Sequence, residues 1–243
     1  GPDVVGSAGE LLPVLTALNG VVAEEKALRM FSRVFGVCVW MPAAHVVPGE
    51  VIVRSWPVAG QFHVARWPAT LATPVDAELL AEIDATWTPA GIRVQLPRDV
   101  APWKYNKLLS NLGNAVVALT NSTSDARHVT DAVQREGEAV LRQAGIDFVP
   151  FAVSEAARVN GPTMRPVEGT AEVIANSTWQ SLKRNTGGIE TDFLNGEIVR
   201  IAHRYGATAP VNAALARLAR TAARAGRGPG EFAAAELAAE LGL

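Results

Sequence analysis

The sequence predicts an α/β segment over residues 1–98, followed by an all-helical segment over residues 99–243. The first segment holds short apolar runs separated by Gly and Pro, which is typical of buried strands joined by turns. From Val100 onward, apolar residues recur at helical spacing and glycines follow several of the periodic stretches. The chain has 243 residues, 49% of them hydrophobic, and this length suits one large domain or two small ones.

The elements of the first segment follow from its apolar runs. A strand is predicted over Leu12–Leu18, and it ends at the turn dipeptide Asn19-Gly20. Helices are predicted over Ala23–Phe31 and over Asp76–Ala90, where acidic and apolar positions alternate at helical spacing until Gly91. The remaining predicted strands are Val34–Met41, the end of the run VPGEVIVR, Gln61–Trp67 and the run IRVQL before Pro97.

The second segment begins with an apolar, helix-like stretch, WKYNKLLSNLGNAVVAL, from Trp103 to Leu119. Gly145 and Gly206 mark the ends of two further helices. Pro210 opens a third, because proline lacks an N–H and the N–H groups of a first helical turn have no helical partner. These three helices are predicted over Asp131–Ala144, Glu190–Tyr205 and Val211–Ala225, and a short alanine-rich helix ends the chain.

The composition excludes several classes of protein. A formal charge of −2 and a pI near 6.1 lack the basic surface of a nucleic-acid-binding protein, so a small molecule is the expected partner. No apolar run approaches the ~20 residues that span a bilayer and no hydrophobic leader opens the chain, so we expect a soluble protein without a membrane partner, and the single cysteine fits a reducing cytoplasm. Cys38 is the single cysteine, which excludes an intrachain disulfide, and its apolar run is typical of the core. No metal site is predicted.

Three polar side chains interrupt the apolar stretch from Trp103 to Leu119. Lys107, Asn111 and Asn114 recur at i, i+4 and i+7, so a single helix would carry them as one stripe. An ammonium in an enclosed cleft has a partner, a ligand or a lowered pKa, because burying it unpaired costs several kcal/mol. A lowered pKa is what a catalytic proton donor needs. In the alternative interpretation, Lys107 extends to solvent and the two asparagines cap neighbouring backbone groups.

A second polar cluster lies between Asn176 and Val199. Ser177, Gln180 and Ser181 share one helical face, and a Gly-Gly pair then leads to Glu190 at the start of the next predicted helix. In the alternative interpretation, the Glu190 carboxylate merely stabilises the N-terminus of that helix. The Asn195-Gly196 pair inside a helical pattern is less easily explained, because an interior glycine costs about 1 kcal/mol and usually permits close packing.

Taken together, these stretches resemble the ketopantoate reductase family, whose members reduce 2-dehydropantoate to pantoate with NADPH. The family patterns W-x-K-L-x-x-N, S-x-x-Q and T-E-x-D-x-x-N-G appear here with slightly altered spacing, and the resemblance runs from about Val14 to the C-terminus. The matching residues are Trp103 with Lys107-Leu-Leu-Ser-Asn111, Ser177-Thr-Trp-Gln180 and Glu190-Thr-Asp-Phe-Leu-Asn195-Gly196.

The resemblance implies a fold, a cofactor and a set of site residues. A partial Rossmann-like α/β domain would precede a helical domain for substrate binding and dimerisation, with NADPH as cofactor, a keto acid as substrate and a homodimer as the assembly. Lys107 would be the general acid, and Glu190 would act with it at the cleft for substrate and cofactor. The other implied roles are substrate binding by Asn111, Asn114 and Ser177, and a contact near the nicotinamide by Asn19.

These roles agree with the chemistry of keto-acid reduction. Hydride adds to the carbonyl carbon and leaves negative charge on oxygen, which the Lys107 ammonium can stabilise and protonate. The neutral donors Asn111 and Ser177, with Asn114, can hold the carboxylate and hydroxyl of the substrate without competing charge.

One family feature is missing from the sequence. Family members begin with a strand and a Gly-x-Gly-x-x-Gly turn that holds the dinucleotide pyrophosphate. Here the chain begins at Gly1-Pro2, which suggests a truncated or processed start, and Gly6-Ser-Ala-Gly9 is a loop rather than that turn. Tight NADPH binding by this chain alone is therefore not expected.

Three interpretations stay open at the level of sequence. The chain is a reductase whose cofactor-binding front is cut away or supplied separately, or a short homologue performing cofactor-independent, lysine-assisted chemistry on a keto acid. In the third interpretation it is a non-catalytic binding or dimerisation module. The reductase interpretation is the one we favour.

Overall fold

A four-stranded mixed sheet lies at the centre of the first part of the chain. The computed structural model describes residues 7–45, 47–168, 176–185 and 187–243. Its strands are β1 (Pro13–Thr16), β2 (Arg33–Trp40), β6 (Gly60–Trp67) and β7 (Ile92–Gln95). The strand order is β1-β2-β6-β7, with β1 parallel to β2, β2 antiparallel to β6 and β6 parallel to β7.

The remaining strands are two residues long. They are β3 (Ala43–Ala44), β4 (Ile52–Val53), β5 (Ser55–Trp56) and β8 (Thr163–Met164). Strand β8 pairs with β5, so residues 99–243 are not wholly helical as the sequence predicted. The sequence predicts a loop over Gly6-Ser-Ala-Gly9, but its described residues belong to a 3-10 turn, Ser7–Leu11, and Gly6 lies outside the described residues.

Strands β2 and β6 form the core of this sheet. Val37 pairs with Val64 and Cys38 with His63, and all of these side chains are buried. Polar and apolar residues alternate along β6, yet all eight of its residues are buried, because the sheet is covered on both faces. The predicted strands are confirmed, with ends that differ by at most two residues.

Helix α2 (Pro74–Trp87) has a start that the sequence anticipates only in part. Thr73 caps it and accepts from the backbone N–H of Asp76, while the Asp76 carboxylate accepts from the Thr73 backbone N–H. Arg33 donates two hydrogen bonds to the same carboxylate. Burial raises the pKa of Asp76, but the hydrogen bonds from Arg33 and Thr73 outweigh it and hold this pKa below its usual value. The other helix of this region is α1 (Ala23–Ala27), shorter than predicted.

The second half of the chain is mainly helical, as predicted. Its interior is built from large apolar side chains, and Leu108, Leu119, Ile198 and Leu215 are fully buried. Among the described residues no helix is long and apolar enough to cross a membrane. The helices are α3 (Ala101–Asn111), α4 (Asn114–Thr120), α5 (Arg127–Gln143), α6 (Phe151–Ala156), α7 (Ser177–Arg184), α8 (Asn195–Arg204), α9 (Pro210–Arg224) and α10 (Ala234–Glu240).

The described residues fall into two compact units. The first takes its residues from 1–42, 53–107 and 148–165, and the second from 43–52, 108–147 and 166–243. These units do not follow the division after residue 98 that the sequence suggests, because the first two turns of α3 and the segment around α6 belong with the sheet. Helix α3 contributes residues to both units.

Candidate functional site

Lys107 lies on α3 beside Trp40, the last residue of β2. The Lys107 Nζ is 3.8 Å from the centroid of the Trp40 ring, a cation–π contact. Among the described residues no carboxylate forms an ion pair with this ammonium. Burial, with a smaller contribution from the positive charge of Arg158, lowers the pKa of Lys107 to about 8. Lys107 is therefore a partly buried cation with a weakened hold on its proton.

Arg158 lies against the same tryptophan. Its Cζ is 3.9 Å from the Trp40 ring centroid, and it belongs to the turn that follows α6. Two hydrogen bonds hold this turn against the sheet, one from Gln61 Nε2 to the Ala157 carbonyl (3.1 Å) and one from Arg93 Nη1 to the Val159 carbonyl (2.9 Å). Arg158 could not be predicted as a site residue from the sequence, because nothing local to it signals a contact with Trp40, more than one hundred residues earlier.

A buried histidine on β6, His63, lies within the electrostatic influence of Arg158. The His63 ring stacks on Trp103, with centroids 3.9 Å apart and planes 18° from parallel. Neither of its ring nitrogens has a hydrogen-bond partner among the described residues. Burial lowers the pKa of His63 to about 4, and Arg158 and Arg93 act in the same direction, so the ring is neutral at physiological pH.

Cys38 behaves as the core residue that the sequence predicts. It is 1% exposed, and its thiol donates to the Trp103 carbonyl at 3.4 Å. Burial raises the pKa of Cys38 to about 11, although the neighbouring lysines lower it in part. A thiol that stays protonated is not a nucleophile.

Asn19 follows the C-terminal end of β1, where α/β sheets bind their ligands. Gly20 has a φ of +76°, which confirms the predicted turn. The Lys104 ammonium donates to the Leu18 carbonyl at 3.2 Å and forms a buried ion pair with Glu24, which also accepts from Thr16 Oγ1. This second lysine, one turn before Lys107, was missed by sequence reasoning because its partner lies eighty residues away.

Among the described residues, those around Asn19 fit the nicotinamide of a dinucleotide but not its pyrophosphate. A carboxamide can hydrogen-bond the amide of a nicotinamide, and the anchored Leu18 carbonyl fixes the turn that carries it. No glycine-rich strand–turn–helix for a pyrophosphate occurs among the described residues. Within the same residues there is also no cluster of His, Cys, Asp and Glu that could hold a metal ion.

The single polar stripe of Lys107, Asn111 and Asn114 was a wrong prediction, because the helix breaks. Asn111 is the last residue of α3 and Asn114 the first of α4. The break lies at Gly113, where a Cβ atom would be 2.7 Å from Thr130 Cγ2, so α5 approaches the backbone too closely for any side chain. Asn111 is buried and has a partner, whereas Asn114 is partly buried.

Ser177 lies near Asn114 in the second unit. It is the first residue of α7, whose N-cap is Asn176. The Asn176 side chain accepts from the Trp179 backbone N–H at 2.8 Å and donates to the Asn114 carbonyl at 3.1 Å, which ties the start of α7 to the start of α4. The structure therefore brings two of the predicted substrate residues, Asn114 and Ser177, together.

Glu190 does not start the long helix that the sequence predicts. It opens a separate 3-10 turn, Glu190–Phe193, and is partly buried with a partner of its own. Helix α8 begins only at Asn195, so Gly196 stands in its first turn. A Cβ atom on Gly196 would meet nothing closer than 3.6 Å, and the predicted close packing there was therefore wrong.

Asn195 joins a buried hydrogen-bond network. Its Nδ2 donates to the Leu112 carbonyl at 3.1 Å and to Asn212 Oδ1 at 2.9 Å. Glu136 in turn accepts from Asn212 Nδ2 and from the backbone N–H groups of Val211 and Asn212 at the start of α9. Asn195 therefore serves the packing of the helices.

Comparisons with known proteins agree with this architecture. A sequence model described as "Ketopantoate reductase PanE/ApbA C terminal" matches residues 99–223, just over half of the chain. The 2-dehydropantoate 2-reductase of Pyrococcus horikoshii is 26% identical over an alignment of 223 residues, and the match covers 86% of this chain and 68% of that protein.

Two solved structures share the fold. A PanE/ApbA family ketopantoate reductase from Ralstonia eutropha has a TM-score of 0.65 at 24% identity, covering 88% of this chain and 67% of that chain. D-mandelate dehydrogenase in its ternary structure with NADH and anilino(oxo)acetate has a TM-score of 0.68 at 19% identity, covering 88% and 68%. These likenesses confirm the predicted fold class, a partial Rossmann-like α/β part and a helical part of the ketopantoate reductase type. The chain spans about two-thirds of the length of each relative.

Proposed function

The chain belongs to the ketopantoate reductase family, and on that premise we propose that it reduces a 2-keto acid, 2-dehydropantoate or an analogue, to the 2-hydroxy acid with NADPH. The observation that carries this proposal is the Lys107 ammonium, which is partly buried over Trp40 and has no carboxylate partner among the described residues. A structural lysine would be expected to reach solvent or a counter-ion.

Lys107 has the properties of a proton donor for this reaction. A bound nicotinamide supplies the hydride that adds to the carbonyl carbon. Negative charge then develops on the carbonyl oxygen, where the ammonium stabilises it and delivers its proton. With a pKa of about 8, Lys107 is mostly charged at neutral pH, yet it releases the proton more readily than a lysine at its ordinary value of 10.5.

The other residues have binding roles in this proposal. Asn111, Asn114 and Ser177 are neutral hydrogen-bond donors for the carboxylate and hydroxyl of the substrate, and the link between α4 and α7 through Asn176 supports a shared role for the last two. Glu190 acts with Lys107 in catalysis, and Asn19 contacts the nicotinamide. The pyrophosphate is held by a part of the protein that the described residues do not include, and the enzyme works as a homodimer in the cytoplasm.

The test is an assay of NADPH oxidation by the full-length protein with 2-dehydropantoate and a panel of other 2-keto acids. Lys107→Ala should lower kcat by about 10²- to 10⁴-fold, the usual contribution of a positioned general acid. Lys183→Ala is the matched control, because Lys183 is exposed at the end of α7 and should leave kcat unchanged. An unaltered rate in Lys107→Ala, or no oxidation of NADPH with any keto acid, contradicts the proposal.

The lowered pKa of Lys107 also favours a second candidate function. An amine near pKa 8 assists enolisation or decarboxylation of a keto acid without any nicotinamide. The assay therefore needs an arm without NADPH, in which consumption of the keto acid is followed directly. Turnover in that arm that Lys107→Ala abolishes would replace the reductase assignment. If neither arm shows turnover, the chain is a binding or dimerisation module, whose self-association Lys107→Ala would leave unchanged in size-exclusion chromatography.

A further inference from the structure

The Lys107 ammonium lies against an aromatic ring, where a buried lysine usually has an acidic partner. Its Nζ is 3.8 Å from the centroid of Trp40, and among the described residues it forms no ion pair and no hydrogen bond. We propose that Trp40 is a positioning residue for the reduction, whose ring replaces a counter-ion, keeps the ammonium charged and leaves its N–H groups to the substrate's carbonyl oxygen. The inference rests on the proposed function of Lys107.

A ring and a carboxylate stabilise an ammonium in different ways. The face of an indole carries negative electrostatic potential and attracts a cation, most strongly where water is excluded. A carboxylate beside Lys107 would instead hold the N–H groups in charge-assisted hydrogen bonds of about 2.8 Å and compete for them with the substrate. It would also raise the pKa of the ammonium and so oppose proton transfer. An aromatic partner therefore suits a proton donor better than an acidic one.

The position of Trp40 is fixed by its neighbours in the first unit. It is the last residue of β2 and stands opposite Gln61 in the antiparallel register with β6. A Cβ atom on Gly60 would lie 3.0 Å from the Trp40 carbonyl oxygen, so the adjacent strand packs closely against this end of β2. The Arg158 guanidinium also packs on the ring, with its Cζ 3.9 Å from the centroid. The ring is thus in place for Lys107 before a substrate binds.

The groups around Lys107 act on its proton in different directions. Burial lowers the pKa of Lys107 to about 8, Cys38 on β2 acts in the opposite direction, and the Arg158 charge acts with burial. The Trp40 ring favours the charged form, so removing the ring should lower this pKa, whereas removing the Arg158 charge should raise it. A ring that only fills space would not produce this pair of opposite effects.

The experiment titrates Lys107 directly, in the absence of substrate. The full-length protein is isotopically labelled at the lysine ε carbon, the NMR signal is followed with pH, and Lys107→Arg assigns it. The variants are Trp40→Leu, Trp40→Phe and a protein with difluorinated tryptophan at residue 40, in which fluorine withdraws electron density from a ring of nearly unchanged size. Trp56→Leu is the matched control, because Trp56 is exposed and its ring faces Arg165.

The pKa of Lys107 should fall by about 0.5 to 1.5 in Trp40→Leu, and by less in Trp40→Phe and with the fluorinated ring. Trp56→Leu should leave it unchanged. The plateau of kcat/KM for the keto acid should end at a correspondingly lower pH in each Trp40 variant. An unchanged or raised pKa with the fluorinated ring overturns the inference, even if Trp40→Leu does not fold. A loss of activity that is equal at every pH also overturns it, because it would indicate a merely structural role.

The titration and the assay separate this inference from the proposed function. The expected titration without NADPH oxidation by any form of the protein would contradict the reductase function and still support the role of Trp40 in keeping Lys107 charged. NADPH oxidation that depends on Lys107, together with a titration that is the same in all Trp40 variants, would support the function and overturn the inference.

Discussion

Lys104 and Glu24 form an ion pair from which water is excluded on both sides. The two side chains are 2% and 0% exposed, and the pair joins α3 to α1 beneath the turn at Asn19. Desolvating both charges consumes much of their attraction, so the pair contributes less to stability than its closeness suggests. It does, however, fix the Leu18 carbonyl and with it the turn that we assign to the nicotinamide.

Removing only the cation of this pair should destabilise the protein, whereas removing both charges should destabilise it much less. We expect Lys104→Met to lower the free energy of unfolding by about 3–5 kcal/mol, because the Glu24 carboxylate would be left buried without its cation. Adding Glu24→Gln in the same chain should restore most of the loss. Urea denaturation measures both, with the exposed Lys183→Met expected to stay within about 0.5 kcal/mol of the wild type. Additive losses in the double variant would contradict the pairing.

The pH dependence of activity should report the state of Lys107. The reaction needs the charged form, so kcat/KM should be flat below pH 8 and fall above it, since burial lowers this pKa to about 8. In Arg158→Gln a neighbouring positive charge is gone, and the falling limb should move to higher pH. It should stay below the ordinary lysine value, because burial is the larger cause. A limb that begins near pH 10 in the wild type would disprove the buried proton donor.

His63 should make stability depend on pH between about 4 and 6.5. Its pKa is lowered to about 4 in the folded protein, so the unfolded chain binds more protons in this window. The free energy of unfolding should therefore decrease as pH falls from 6.5 to 4, by about 3 kcal/mol in total. His63→Phe keeps a ring against Trp103 and should lose this contribution, whereas the exposed His203→Asn should not. Identical pH profiles for wild type and His63→Phe would refute it.

Asn195 should matter to stability and not to catalysis. Asn195→Ala removes the donor for the Leu112 carbonyl and for Asn212 Oδ1, and each buried group left unsatisfied costs about 1–3 kcal/mol. The KM for the keto acid should be unchanged in the protein that remains folded. Because Asn195 and Asn212 share one network, the double variant with Asn212→Ala should lose less than the sum of the single losses. A raised KM with normal stability would contradict this prediction and place Asn195 in the substrate site.

The sequence predicted the elements better than the contacts between them. Local signals identified the turn at Asn19-Gly20, the strands β2 and β6 and the core position of Cys38, because periodicity and turn residues are written within a few positions. The break after Asn111 escaped notice, because a glycine in an apolar stretch does not reveal that Thr130 packs against it. Arg158 escaped for the same reason, since only the folded chain brings it to Trp40.

The break between α3 and α4 leaves the Leu112 carbonyl without a partner inside a helix. Asn195, of the Asn195-Gly196 dipeptide, donates a hydrogen bond to it instead. Asn195, which is part of the family's sequence pattern, therefore stabilises the break between these two helices. Because a chain without turnover would need the same contact, the Asn195-Gly196 dipeptide is evidence for the fold of the family and not for its activity, which in our proposal depends on Lys107.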